Sequence, residues 1–398
     1  MKQEPQSTPL AAVLALTFVC SMGTGVFWHA VPFIAKHTYE FPQARNLLLS
    51  LAMGGVYTIG AFTAGRLTRW IEHRLSARGV LAACVTTLAL VCLAPLLVSA
   101  EWALWLAALV GTYLTSLFWP IIESYVTAGR HGASMRSALG WFNLTWAPAV
   151  AVPMFALAPI LGTHGQWAIG GFAGVGLLGL VALRWFAPQP GHHDLEVAEA
   201  HVGDEYPLLL HSARVLLPLS YVLNAAMNPI LPYRFETLGV DVSWETPAAA
   251  TWIVVRVVVF AVMWRLGFWH GRWGTLLLGA VAMTAGFGLV VTGPTMATVL
   301  AGLACLGVGL GVVYYAALYY AMAVGRAQVD AGGTHEALIG AGYTVGPAAG
   351  LTGTAIAGGV GIVGVVWALV GLAGIPAVRP YLAARRRRAA VTSRGREP

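Results

Sequence analysis

Charge is what this chain has least of. Only 10% of its 398 residues are charged, 16 acidic against 23 Lys and Arg, while 58% are hydrophobic and the mean hydropathy is +0.72. Ordinary soluble domains carry roughly a quarter charged residues, so water is excluded as the solvent for most of this chain. Cysteine is scarce as well. Cys20, Cys84, Cys92 and Cys305 all fall in apolar runs and form no CxxC pair, which argues against a disulfide framework and a thiolate metal site. Gly307, Gly309 and Gly311 follow no strand and precede no lysine, so they make no nucleotide loop. No nucleophile stands with a base and no pair of carboxylates recurs. An enzyme is therefore not expected, nor is a cofactor or a metal.

Long apolar runs take the place of charge. A helix needs roughly 20 apolar residues to cross a bilayer core of about 30 Å, and such runs recur from end to end. About twelve spans are predicted, at 10–34, 46–65, 80–98, 102–125, 137–161, 167–186, 215–233, 247–264, 275–292, 295–324, 337–358 and 361–376. The first is too long for a signal-peptide core and lacks a cleavage site, so it is read as a retained helix. Nearly all Lys and Arg outside the spans then fall on one side, against Lys36, Arg45 and Arg234 on the other. Positive loops stay in the cytoplasm. Both termini are expected there, in a multi-pass protein of the inner membrane, and the number of spans must be even. The net charge of +7 follows from this topology and gives no reason to expect nucleic acid, although Arg385–Arg388 suits anionic headgroups of the bilayer.

The second half echoes the first at an offset of 199. Ala138-Leu139 recurs as Ala337-Leu338, Thr145 as Thr344, Pro148-Ala149 as Pro347-Ala348, and Arg66-Leu67 as Arg265-Leu266. Duplicated helical bundles are typical of secondary transporters. The expected fold is all-α, with similar six-helix bundles at 1–187 and 213–398 and a polar cytoplasmic linker at 188–212, whose His192, His193 and His201 lack metal-ligand spacing.

A charged side chain within a span needs a reason, since Arg there costs about 2.5–3.5 kcal/mol on insertion scales. Arg256 lies midway between Glu245 and Arg265, too far from either interface to snorkel, and must face protein or water. Three uses stay open for it: holding an anionic substrate group, pairing with a carboxylate that binds a coupling proton, or a structural ion pair or cap. Glu123 is the strongest intramembrane carboxylate. A carboxyl group withdrawn from water holds its proton more tightly, as a proton carrier requires; with Arg130 two turns on, an interfacial anchor is the alternative. Tyr315 and Tyr319 share a helix face and offer hydroxyls to a substrate or rings to their neighbours. His335-Glu336 lacks the second His four residues on that a zinc motif needs. Glu336 is expected at a cytoplasmic gate, with Arg326 or Arg136 as its partner.

Two bundles, a polar linker and basic residues after the second and eighth spans resemble the major facilitator superfamily over essentially the whole chain. Gly65-Arg66-Leu67-Thr68-Arg69, followed by Arg74, Arg78 and Gly79, is similar to that family's signature loop, with Arg69 where the family usually carries Asp. Arg265-Leu266-Gly267, then Arg272 and Gly274, is its counterpart. Gly342-Tyr343-Thr344-Val345-Gly346-Pro347-Ala348-Ala349-Gly350 is similar to the Gly-Pro motif of the family's drug/proton antiporters. It stands in the eleventh span rather than the fifth, and small residues at this spacing also let helices approach closely. The resemblance implies a cytoplasmic gate at Arg66, Arg69, Arg78, Arg265 and Arg272, and a cavity lined by the first, fourth, seventh and tenth helices. His29, Asn224 and Asn228 thereby become candidate substrate contacts. It also sets the eighth helix against the fifth, bringing Asn143 near Arg256. The function it implies is secondary transport of a small solute, an anion among the candidates, by alternating access coupled to protons, in a monomer. An uncoupled facilitator is one alternative; a non-transporting receptor or assembly protein is another.

Overall fold

The computed structural model describes residues 8–71, 73–130, 132–191, 205–324 and 329–394, and among them every regular element is helical. Ten helices among the described residues are long and apolar enough to cross a membrane. We label the helices α1 (Leu10–Tyr39), α2 (Gln43–Ile71), α3 (Ala77–Leu97), α4 (Glu101–Thr127), α6 (Gln166–Trp185), α7 (Tyr206–Thr237), α8 (Val242–Arg265), α9 (Trp273–Thr292) and α10 (Met296–Val324). Between α4 and α6 lies α5, Gly132–Leu157. The last helical stretch, Val329–Arg394, breaks at Ala357 and at Gly358, whose φ of 57° is the left-handed region open to glycine. The break divides it into α11 (329–356) and α12 (359–394) and brings the long helices among the described residues to twelve. The protein is thus an all-α polytopic membrane protein. Exposed Phe62, Leu97, Val281 and Leu372 give it an apolar outside.

The break coincides with the turn expected between the last two spans, but helix ends differ from the apolar runs. α11 starts at Val329 rather than near 337, and α12 runs to Arg394 rather than stopping near 376. A helix satisfies its own backbone, so it continues past the bilayer where lipid no longer demands apolar side chains.

Packing repeats as the sequence does. α1 packs on α5 and α2 on α4; six helices on, α7 packs on α11 and α8 on α10. Between the first six helices and the last six, α2 meets α11 and α5 meets α8. Glycines bring the backbones together. A Cβ at Gly342 would lie 2.5 Å from the Pro218 carbonyl oxygen, and one at Gly346 equally close to that of Val222, so α11 can lie on α7 only without them. The helical bonding of α1 and α7 is interrupted at matching depths, by a π-helical turn at Val26–Ala30 and a 3₁₀ turn at Asn228–Ile230. Such irregular turns are frequent at functional sites.

Candidate functional site

A cavity of about 70 Å³ lies between the two sets of six helices. Trp28 and His29 of α1, Tyr57 of α2, Trp119 and Glu123 of α4, and Trp146 of α5 form one side of it. Tyr221 of α7, Arg256 of α8, Tyr314 of α10, and Glu336 and Tyr343 of α11 form the other. Eight helices contribute, not only the first, fourth, seventh and tenth.

Arg256 is buried in this cavity. Its guanidinium lies 4.5 Å from the Trp146 ring centre, 5.0 Å from Tyr314, 5.3 Å from Phe260 and 5.7 Å from Trp252. Ring faces attract a cation without neutralising it. Nε and Nη2 have no hydrogen-bond partner among the described residues. Asn143 is buried too, and its Oδ1 accepts from Trp146 Nε1 at 2.8 Å, so it reaches Arg256 only through that ring.

Glu123 and Glu336 face the same space and belong to a polar cluster. One donor atom each of Glu123, His335 and Glu336 lies within 4.8 Å of the others, all three residues being buried. The Tyr57 hydroxyl donates to Glu336 Oε2, while Glu123 Oε2 and His335 Nε2 lack partners among the described residues. Arg130 does not engage Glu123. It donates to the carbonyl oxygens of Tyr125 (3.0 Å) and Val126 (2.8 Å), caring for the end of α4. Glu336, expected at a gate beside Arg136 or Arg326, lies instead in the cavity beside Glu123. The cause is the early start of α11: seven residues of helix, about 10 Å at 1.5 Å each, precede it. Arg136 lines a different cavity and Arg326 lies outside the described residues.

The other expected contacts divide. Asn228 Nδ2 donates to the Trp28 carbonyl oxygen (3.2 Å) and lies 3.0 Å from His29 Nδ1, linking α7 to α1. Asn224 is buried away from the cavity lining, and its side-chain atoms have no partner among the described residues. Tyr315 and Tyr319 line a second cavity of about 240 Å³, nearer the basic face, together with Arg136, Asn143, Trp264, Trp269 and His270. His270 stacks on Tyr319 at 4.5 Å, and burial, with the charge of Arg136 adding to it, pushes its imidazole below the ordinary range. Asn143 lines the second cavity and its partner Trp146 the first; this pair is the partition between them. The gate arginines do not assemble. Arg66, Arg265 and Arg272 are exposed, Arg78 donates to the Phe186 carbonyl oxygen at 3.1 Å, and the Arg69 side chain lies outside the described residues.

At the opposite face the structure brings together a set that the sequence reading missed. Lys36 Nζ donates to the Pro232 carbonyl oxygen (2.7 Å) and lies 3.2 Å from Glu236 and 3.9 Å from Glu245. His37 Nε2 is 2.8 Å from the other Glu245 oxygen, and Tyr233 donates to the Phe41 carbonyl oxygen at 2.5 Å. Every one of these contacts joins α1 or the turn after it to α7 or α8. The available signal was the confinement of Lys36, Glu236 and Glu245 to helix ends on one side.

Solved structures share this arrangement. The human organic anion transporter MFSD10 superposes with a TM-score of 0.66 over 94% of this chain and 100% of its own, at 13% identity. The nucleoside transporter NupG does so with a TM-score of 0.63 over 94% of this chain and 98% of its own, at 14% identity. The chain has the major facilitator fold. No protein-family profile matches the sequence, and no curated protein is recognisably similar to it. The major facilitator arrangement places the cavity of Arg256 and Glu336 at the seam between its six-helix sets, and the contacts of Lys36 close that seam at one face.

Proposed function

We propose that the protein is a proton-coupled secondary transporter of a small solute in the cytoplasmic membrane, working as a monomer by alternating access between the bundles of its first and last six helices. The observation that carries this reading is one buried cavity at the seam holding both a guanidinium with two unpartnered nitrogens, Arg256, and two adjoining carboxylates, Glu123 and Glu336. Two carboxylates so close repel when both are ionised, so the pair keeps a proton until a conformation that admits water releases it. Arg256 holds an anionic part of the solute. MFSD10 is named as an organic anion transporter, which favours this assignment over a neutral solute. The contacts of Lys36, His37 and Glu245 close one face, and the cavity of about 240 Å³ leads toward the other.

The test is uptake into proteoliposomes under an imposed pH gradient, with a panel of anionic, neutral and cationic solutes. Accumulation of a solute that stops in Glu336→Gln, while exchange of the same solute across the membrane persists, supports coupling at the pair. Uptake indifferent to the gradient identifies an uncoupled facilitator. No uptake of any solute by folded protein turns the reading toward a receptor or assembly role.

A further inference from the structure

The proposed transport reading leaves the solute's chemistry open, and the geometry around Arg256 narrows it. Both unpartnered donors of this guanidinium, Nε and Nη2, lie on the same edge of the group. That edge presents two parallel N–H bonds, which match the two oxygens of a carboxylate. Arg256 is the one Lys or Arg among the cavity's described lining residues. A phosphate or sulfate ester often carries a second charge, and no second Lys or Arg among the described lining residues would meet it; a single carboxylate needs none. Donors buried without partners are costly, and a carboxylate would answer both at once.

The walls define the rest of the molecule. Trp28 stacks on Tyr343 with ring centres 3.7 Å apart and planes within 13°, and Trp119, Trp146 and Tyr314 supply further ring surface. Flat apolar faces pack best against another flat apolar body. A cavity of about 70 Å³ has room for roughly five to seven waters, at 10–15 Å³ of probe volume each. That is the scale of a single-ring acid rather than of a nucleoside or a polycyclic drug.

We propose that the solute is a small monocarboxylate with a flat, unsaturated body, its carboxylate held side-on by Nε and Nη2 of Arg256 and its body lying among Trp28, Trp119, Trp146 and Tyr343. This rests on the transport reading only for the word solute; the binding itself is tested apart from movement. Isothermal titration of the purified full-length protein in detergent compares benzoate, the isosteric neutral benzamide, the non-flat cyclohexanecarboxylate and phenylphosphonate. Saturable benzoate binding is expected, at least tenfold tighter than that of benzamide or phenylphosphonate and at least threefold tighter than that of cyclohexanecarboxylate. Arg256→Lys, which keeps the charge and removes the fork, is expected to weaken benzoate at least tenfold. Benzamide or phenylphosphonate binding as tightly as benzoate overturns the carboxylate, equal binding of cyclohexanecarboxylate overturns the flat body, and no benzoate binding by cooperatively unfolding protein overturns both. If Arg256→Lys does not fold, the ligand comparison on the unaltered protein still decides. A pH gradient that moves a neutral solute while benzoate fails to bind overturns this inference and leaves transport standing. Benzoate that binds through Arg256 but is not moved by any gradient upholds the ligand and removes the coupling.

Discussion

Trp146 serves two neighbours at once, covering the Arg256 guanidinium with its face and donating from Nε1 to Asn143. Trp146→Phe keeps a ring and deletes the donor, leaving the buried Asn143 Oδ1 unanswered. Such an atom costs about 1–3 kcal/mol, so the thermal midpoint in detergent is expected to fall. Adding Asn143→Leu removes the orphaned group and should restore most of the loss; a double variant no more stable than the single one rules the pairing out. At this scale the sequence was legible where chemistry contradicted its surroundings. Arg256 and Glu123 stand out because a charge in an apolar run is costly. Trp146 is one of 15 tryptophans in an aromatic-rich chain and carries no such mark. His335 and Glu336 were read beside their sequence neighbours, but their partner, Glu123, comes from a different helix far back in the chain. Local spacing carries no record of that meeting.

At the scale of the helix, α11 shows what apolar runs report and what they omit. Hydropathy located its middle and the turn after it; the start at Val329 was invisible, because a helix outside lipid obeys no hydropathy rule. That displacement moved Glu336 from an expected border into the cavity. The glycines of the same helix are legible twice, as a family-like motif and as packing. Gly346 lies against α7, where a Cβ meets the Val222 carbonyl oxygen, whereas a Cβ at Gly364 in α12 meets nothing within 4 Å. Gly346→Ala is expected to destabilise by about 1–3 kcal/mol through overpacking. Gly364→Ala should be neutral or stabilise by up to about 1 kcal/mol through helix propensity. Denaturant titration of both variants decides, and equal effects would show that close approach of α11 to α7 is not what Gly346 provides.

For the whole molecule, the contacts at the face opposite the basic one matter most, because they gather Lys36, His37, Glu236 and Glu245 from both sets of six helices. Glu245 is 1% exposed and meets Lys36 Nζ at 3.9 Å and His37 Nε2 at 2.8 Å. Glu245→Gln removes the carboxylate charge these two contacts share. The predicted result is a shift toward states open at this face, read as faster labelling of a cysteine placed at Ser50, which lines a narrow cleft between α1, α2, α7 and α11. The four native cysteines are first replaced and the maleimide must be membrane-impermeant. An unchanged labelling rate would falsify the closing role of Glu245. The duplication was the most legible property at this scale: the sequence carries a 199-residue echo, and the helix packing repeats six helices on. Which face is closed was not legible, as it depends on which conformation the seam adopts.

His29 and Asn228 are separated in sequence by 199 residues, the offset of the echo itself, and they touch. Two positions related by the duplication that meet one another must sit on the pseudo-twofold axis. In a perfectly symmetric forerunner this spot would be occupied by one residue type facing its own copy, and a side chain that meets itself must donate and accept equally. An imidazole opposite an amide breaks that equivalence. The two sets of six helices are therefore chemically distinguishable at their common axis.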